Sequence, residues 1–151
     1  MENNYECNIK LDSGDIQFDV SNDEYVFSFK SGLAFMAIPH FFSTLASFYT
    51  GSRDEVRIDC HGNFDYYIFS SDGRYIWIEH FSHYPTDSRL KYQFLLKEYM
   101  EAIDQGFKNY LQQLEAAGIL PLQSHDFSHP IGNDVLHTYH HFSALVRGEK
   151  N

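Results

Sequence analysis

The residues with chemistry to offer are histidines, cysteines and carboxylates. His125 and His129 stand four apart, and His137, His140 and His141 follow within one or two helical turns. Neutral imidazoles at such spacing can share a zinc ion. The first pair, however, flanks the loop-like stretch Ser128-His129-Pro130, where a four-residue spacing no longer sets two side chains on one face. No Glu stands between the two as in a zinc protease. Exposed or hydrogen-bonded histidines are the simpler reading, and His80 and His83 read the same way. Cys7 and Cys60 are the only thiols. Two cysteines build neither a disulfide framework nor a zinc ribbon, and neither lies beside a cation or helix start that would activate it. There is no Gly-x-Ser-x-Gly elbow and no glycine-rich phosphate loop. The expectation is a chain with no catalytic residue, no metal and no cofactor, and hence not an enzyme.

The carboxylates are informative by where they sit. The chain has 21 acidic and 11 basic residues, a net charge of -10. Residues 1–30 hold seven acids and two bases, 51–87 hold seven and three, and 88–118 hold four of each. The excess thus falls on stretches that read as strands and turns. Asp12, Asp15, Asp19, Asp23, Glu24, Glu55, Asp59, Asp65 and Asp72 belong to outer faces or turns, with Tyr25 and Tyr67 interleaved as exposed aromatics. Simple solubility accounts for such a surface. The sharper expectation is an acidic docking face for a basic protein. Charge would steer association there, and tyrosines would anchor it. The same charge disfavours a nucleic-acid partner, since a phosphate backbone calls for a basic surface.

These side chains need elements to hold them. Residues 5–11 read as a first strand. Ile16, Phe18 and Val20 alternate with Asp15, Gln17 and Asp19, and Tyr25, Phe27 and Phe29 with their polar neighbours. The clusters Asp12-Ser13-Gly14-Asp15 and Ser21-Asn22-Asp23 are turns. Pro39 predicts an extended segment over 33–38 and a helix starting at the proline and running to Tyr49, buried on more than one side. Alternation over 54–80, broken at His61-Gly62-Asn63 and Ser71-Asp72-Gly73, predicts a three-stranded antiparallel meander. From Asp87 or Ser88 onward, Tyr92, Leu96, Tyr99, Ile103, Tyr110, Leu114 and Ala117 recur at three and four. That predicts a helix over about 88–117, roughly 45 Å long, with Asp104 and Lys108 paired on its surface. Residues 133–147 read as a short last helix.

Length and composition bound the rest. One hundred and fifty-one residues, 43% hydrophobic and 17% aromatic, fit one folded domain, with the histidine-rich 119–151 as a C-terminal extension packed on it. The charge-free stretch 31–52 is long enough to span a bilayer, but Pro39, His40, Ser43, Thr44 and Ser47 mark it as core. Met1-Glu2-Asn3-Asn4 carries no basic or apolar signal region, and the few thiols suit a reducing compartment, so a cytoplasmic location is expected. The fold class is α+β with an antiparallel sheet.

A small, acidic, aromatic-rich chain with this order of strands, short helix, meander and long helix resembles the immunity proteins of bacterial polymorphic toxin systems, those of contact-dependent growth inhibition in particular. The order over 5–117 also looks like the Whirly-type arrangement. The resemblance implies a non-enzymatic inhibitor that binds one cognate toxin domain, its carboxylates standing where phosphates would lie if the toxin is a nuclease. Two other classes compete with it. One is a metal enzyme using the C-terminal histidines; the other is a homodimeric scaffold built on the long helix.

Overall fold

A computed structural model describes residues 5–12, 15–32, 34–59, 65–82, 87–118 and 133–148. The fold is α+β. Strands β1 (Glu6–Asp12), β2 (Asp15–Ser21) and β3 (Val26–Ser31) form antiparallel sheet A in that order. Helix α1 (Ala34–Thr50) follows, then β4 (Glu55–Asp59), β5 (Tyr66–Ser71), β6 (Tyr75–Ser82) and β7 (Ser88–Leu95), which form antiparallel sheet B, again in chain order. Helices α2 (Leu96–Ala116) and α3 (Asn133–Arg147) complete the described chain.

The tight turns are built by side chains that cap their own backbone. Asn22 Oδ1 accepts from the amides of Glu24 and Tyr25 at 2.9 and 2.7 Å, and Asp72 Oδ1 accepts from those of Arg74 and Tyr75, both at 2.9 Å. Gly73 has φ 94°, a conformation glycine takes without strain. The Asp-Gly hairpin signal was therefore legible in the sequence.

Two elements depart from the sequence-based expectation. Residues 88–95 are a strand, not the first turns of the helix. β7 pairs with β6 from Tyr75↔Leu95 to Ser82↔Ser88, so the meander has four strands, and Ser88 opens a strand instead of capping a helix. Tyr92 and Leu96, four apart, resemble one helical stripe, but Tyr92 and Phe94 in fact follow a strand's two-residue period. The strand runs straight into α2, where the Leu96 amide donates to the Arg74 carbonyl at 2.8 Å. The 21 residues of α2 then span about 32 Å.

Helix α1, in turn, starts at Ala34 and carries Pro39 inside it. An interior proline costs about 3 kcal/mol. Burial outweighs that cost here, since Ala37, Ile38, Phe41, Phe42, Leu45 and Phe48 are all buried. The helix's hydroxyls are satisfied locally. Ser43 Oγ and Thr44 Oγ1 donate to the His40 carbonyl at 3.1 and 2.7 Å, and Ser47 Oγ donates to that of Thr44 at 2.7 Å. Among the described residues no helix is long and apolar enough to cross a membrane.

The inner faces of both sheets bury rings in one core. Phe27 of β3 meets Tyr67 of β5 edge-on at 5.6 Å, and Phe29 meets Phe69 at 6.0 Å. The Lys30 amide donates to the Tyr67 hydroxyl at 3.0 Å. Phe41 of α1 stacks on Phe18 and Phe29 at 4.9 and 4.7 Å. Phe42 joins α1 to Phe107 of α2 and Phe142 of α3, at 5.1 and 4.8 Å. Asp104 is turned into this packing. Its carboxylate accepts from the Tyr139 hydroxyl at 2.9 Å and from Arg147 Nε at 3.4 Å, so its partners lie on α3 and not at Lys108. Gly106 lets α2 lie against β1, because a Cβ there would stand 2.8 Å from Cys7 Sγ and 3.0 Å from the Cys7 carbonyl oxygen.

Ile103→Ala should cost about 2–5 kcal/mol in chemical denaturation, as truncation of a fully buried side chain. Gly106→Ala should destabilise by about 1–3 kcal/mol through overpacking against β1, despite alanine's better helix propensity. A stabilised Gly106→Ala protein would show that α2 and β1 can move apart freely.

Candidate functional site

The strand order divides the expected acidic residues between two sheets. Asp15, Asp19, Asp23 and Glu24 belong to sheet A and its β2–β3 turn, and Glu55, Asp59 and Asp72 belong to sheet B and its β5–β6 turn.

Sheet A carries a clear share of the excess. Residues 5–31 hold six carboxylates (Glu6, Asp12, Asp15, Asp19, Asp23 and Glu24) against Lys10 and Lys30. Asp15, Asp23 and Glu24 are exposed, Asp23 and Glu24 at the β2–β3 turn. Asp12 pairs in register with Asp15 across the β1–β2 turn. Asp19 lies mid-strand and is only 20% exposed. Its Oδ1 accepts from Ser28 Oγ at 2.6 Å and from Gln17 Nε2 at 2.7 Å, and Lys10 Nζ is 3.7 Å from Oδ2. Partial burial pushes its carboxyl up, but these hydrogen bonds and the Lys10 charge outweigh that and hold it below its ordinary value. Asp19 is thus a fixed negative charge on a rigid strand.

The outer face of sheet B has a different chemistry. Placing 88–95 in a strand moves Arg89 and Lys91 off the helix and onto this sheet, next to Glu79. Tyr66 stacks on Phe81 at 4.7 Å and 10°. The Arg57 guanidinium lies 3.9 Å over the Tyr66 ring, and that of Arg89 lies 5.4 Å over Phe81. Arg57 Nε donates to Asp59 at 2.9 Å, and Arg89 pairs with Glu79. Tyr75 and Trp77 extend the aromatic surface, their rings 6.0 Å apart. Glu55 and Asp59 are exposed on β4, and Asp72 is exposed in the β5–β6 turn. Two backbone amides on the Asp72 carboxylate, those of Tyr75 and Arg74, lower its pKa.

The remaining expected site residues are not surface anchors. Tyr67 is 1% exposed and belongs to the core, on the inner face of β5. Tyr25 is half-buried, edge-on to Tyr92 and Phe94 at 6.2 and 5.9 Å. Alternation groups Tyr25 with Phe27 and Phe29, and Tyr67 with Phe69, as the structure does, but it does not say which group faces outward; in β5 it is Tyr66 and Ile68. Asp65 is half-buried, its Oδ2 3.5 Å from His80 Nε2. His137, His140 and His141 are exposed on α3, and among the described residues no three His, Cys, Asp or Glu side chains converge as a metal site. Cys60, His61, His83, His125 and His129 lie outside the described residues.

A groove of about 360 Å³ between α1 and α3 is lined by Ser43, Ser47, Thr50, Thr138 and His141. The hydroxyls of Ser43, Ser47, Thr50 and Thr138 donate to backbone carbonyls of their own helices. At Cys7, burial and then the Asp19 charge push the thiol up from 9.0 to about 12.

Comparison with protein-family models, curated proteins and solved structures gives no match.

The thiol yields a prediction with a definite sign. A pKa raised by folding means that stability is intact below about pH 9 and is lost as pH rises toward about 12. Tyr99 and Tyr139, whose hydroxyls burial also pushes up, act in the same direction. Melting temperature should therefore fall through that alkaline window. In a Cys60→Ser variant, the remaining thiol should resist iodoacetamide at neutral pH until denaturant is added. Rapid labelling of the native protein would show that Cys7 is accessible.

Proposed function

We propose that this chain is a non-enzymatic binding protein that docks on a basic protein domain through the acidic outer face of sheet A, as an immunity protein neutralises its toxin in the cytoplasm. The observation that carries the reading is the carboxylate surplus of residues 5–31, held on a sheet whose opposite face is locked into the core. Charges on a rigid strand are preorganised for recognition and need no reordering on binding. Asp15, Asp23 and Glu24 would set the rate and selectivity of encounter, and Asp19 would supply a fixed charge at the centre. The sheet B carboxylates Glu55 and Asp59 contribute less, because Arg57, Arg89 and Lys91 share their surface.

The test is titration calorimetry and stopped-flow binding against the C-terminal domain of a toxin encoded beside its gene. The double variant Asp15→Lys/Glu24→Lys should weaken binding by about tenfold or more and slow association. Glu115→Lys, an exposed change on α2, should do neither. Association of the unaltered protein should slow as salt rises toward physiological strength, where charges are screened beyond about 8 Å. Unchanged affinity and salt dependence in the double variant would reduce the acidic face to a solubility feature.

A further inference from the structure

On the outer face of sheet B, half-buried aromatic rings lie together with exposed arginines. The charge pattern of this face has a symmetry that follows from the strand register. Asp59 pairs with Tyr66, Tyr66 with Phe81, and Phe81 with Arg89. Read across the sheet, this row is anion, ring, ring, cation. A two-fold axis parallel to the strands lays β4 of one copy over β7 of the other. The row then meets itself reversed, with Asp59 over Arg89, Tyr66 over Phe81, Phe81 over Tyr66 and Arg89 over Asp59. The row containing Glu55, Ser70, Trp77 and Gln93 sets the Glu55 carboxylate over the Gln93 amide. The remaining row sets Arg57 near Lys91 and Ile68 over Glu79; within each chain Arg57 holds Asp59 and Arg89 holds Glu79, so the cross-axis contacts join two existing ion pairs into a network. The other in-plane axis, perpendicular to the strands, lays β4 over β4 and brings Glu55 and Asp59 of one copy against those of the other. Charge therefore selects the axis parallel to the strands.

We infer that the outer face of sheet B is a homodimer interface, occupied by a second copy of this chain related by that two-fold axis. The rings and guanidiniums are already stacked within one chain, so little side-chain freedom is lost on pairing. Tyr, Trp and Arg are the residue types that dominate interface energetics. The face measures roughly 19 by 27 Å from the spacing of four strands and the length of β6, on the order of 500 Å² in projection. Stable complexes bury about 800 Å² per partner, so this dimer forms with concentration and is not obligate. Pairing here uses no residue of sheet A, since the two faces belong to different sheets. The inference stands independently of the partner proposed for sheet A.

Trp77 is the single tryptophan and lies on the face, which gives a local reporter. In sedimentation velocity, the full chain should pass from monomer to dimer between low and high micromolar concentration, and Trp77 emission should shift to the blue over the same range. Arg89→Asp and Asp59→Arg, both at exposed positions, should each weaken the dimer by about tenfold or more. The double variant Asp59→Arg/Arg89→Asp, which restores opposite charges across the axis, should recover most of the loss. Circular dichroism would confirm that each variant is folded. A chain that stays monomeric at high concentration overturns the inference. So does a dimer indifferent to both reversals, or a double variant no better than the singles. A monomer whose Trp77 shifts only when a basic toxin domain is added would assign this face to the toxin instead.

Discussion

Both sheets bury their rings against each other, and the rest of the molecule follows from that constraint. Phe27 and Phe29 of sheet A touch Tyr67 and Phe69 of sheet B directly. Helix α1 reaches the same point through Phe41, which stacks on Phe18 and Phe29 and meets Phe69 edge-on. Offset and edge-on ring pairs add directional preference to non-directional apolar burial, so the relative setting of sheets and helix is specified as well as stabilised. Once the inner faces are committed in this way, each sheet is left with its own outer face.

The helices are tied in by a few close-range interactions. α2 approaches β1 because position 106 has no side chain, and the contact with Cys7 leaves no room for one. α3 is held by rings from Phe142 and Tyr139, and by the buried carboxylate of Asp104, which takes a hydroxyl and a guanidinium from α3. Leaving that carboxylate without its partners would be costly, which makes the Tyr139 and Arg147 contacts a register mark between α2 and α3. The C-terminal extension is thus, over the described part of it, part of the one core.

Two chemistries result on the two sheets. Sheet A presents carboxylates with few cations among them, and sheet B presents rings clasped by arginines. A protein with a net charge of -10 could spread it evenly for solubility. This chain does not, because the cations of β4 and β7 offset much of the acid around them, while the first three strands keep six carboxylates against two lysines. The two sheets therefore differ in the chemistry they present.

Composition and local pattern determined much of this. The α+β class, the strand alternation over Asp15–Ser21 and Tyr75–Ser82, the Asp72-Gly73 turn, the last helix over Asn133–Arg147 and the buried stripe of Leu96, Tyr99, Ile103 and Leu114 are all legible, since each depends on periodicity or turn chemistry within a few residues. Three points were decided only by tertiary structure. Pro39 sits inside a helix because burial on both sides outweighs its local cost. Residues 88–95 are a strand because β6 offers a free edge to pair with, and Tyr92 and Leu96 at spacing four could not reveal that. Which ring of Tyr66 and Tyr67 faces outward depends on which side of the sheet meets the core, and adjacent tyrosines in one strand carry no such information. The candidate surfaces inherited these limits. The acidic residues were identifiable one by one, but their division between two sheets, and the pairing of arginines with rings on one of them, exist only once distant strands are brought side by side.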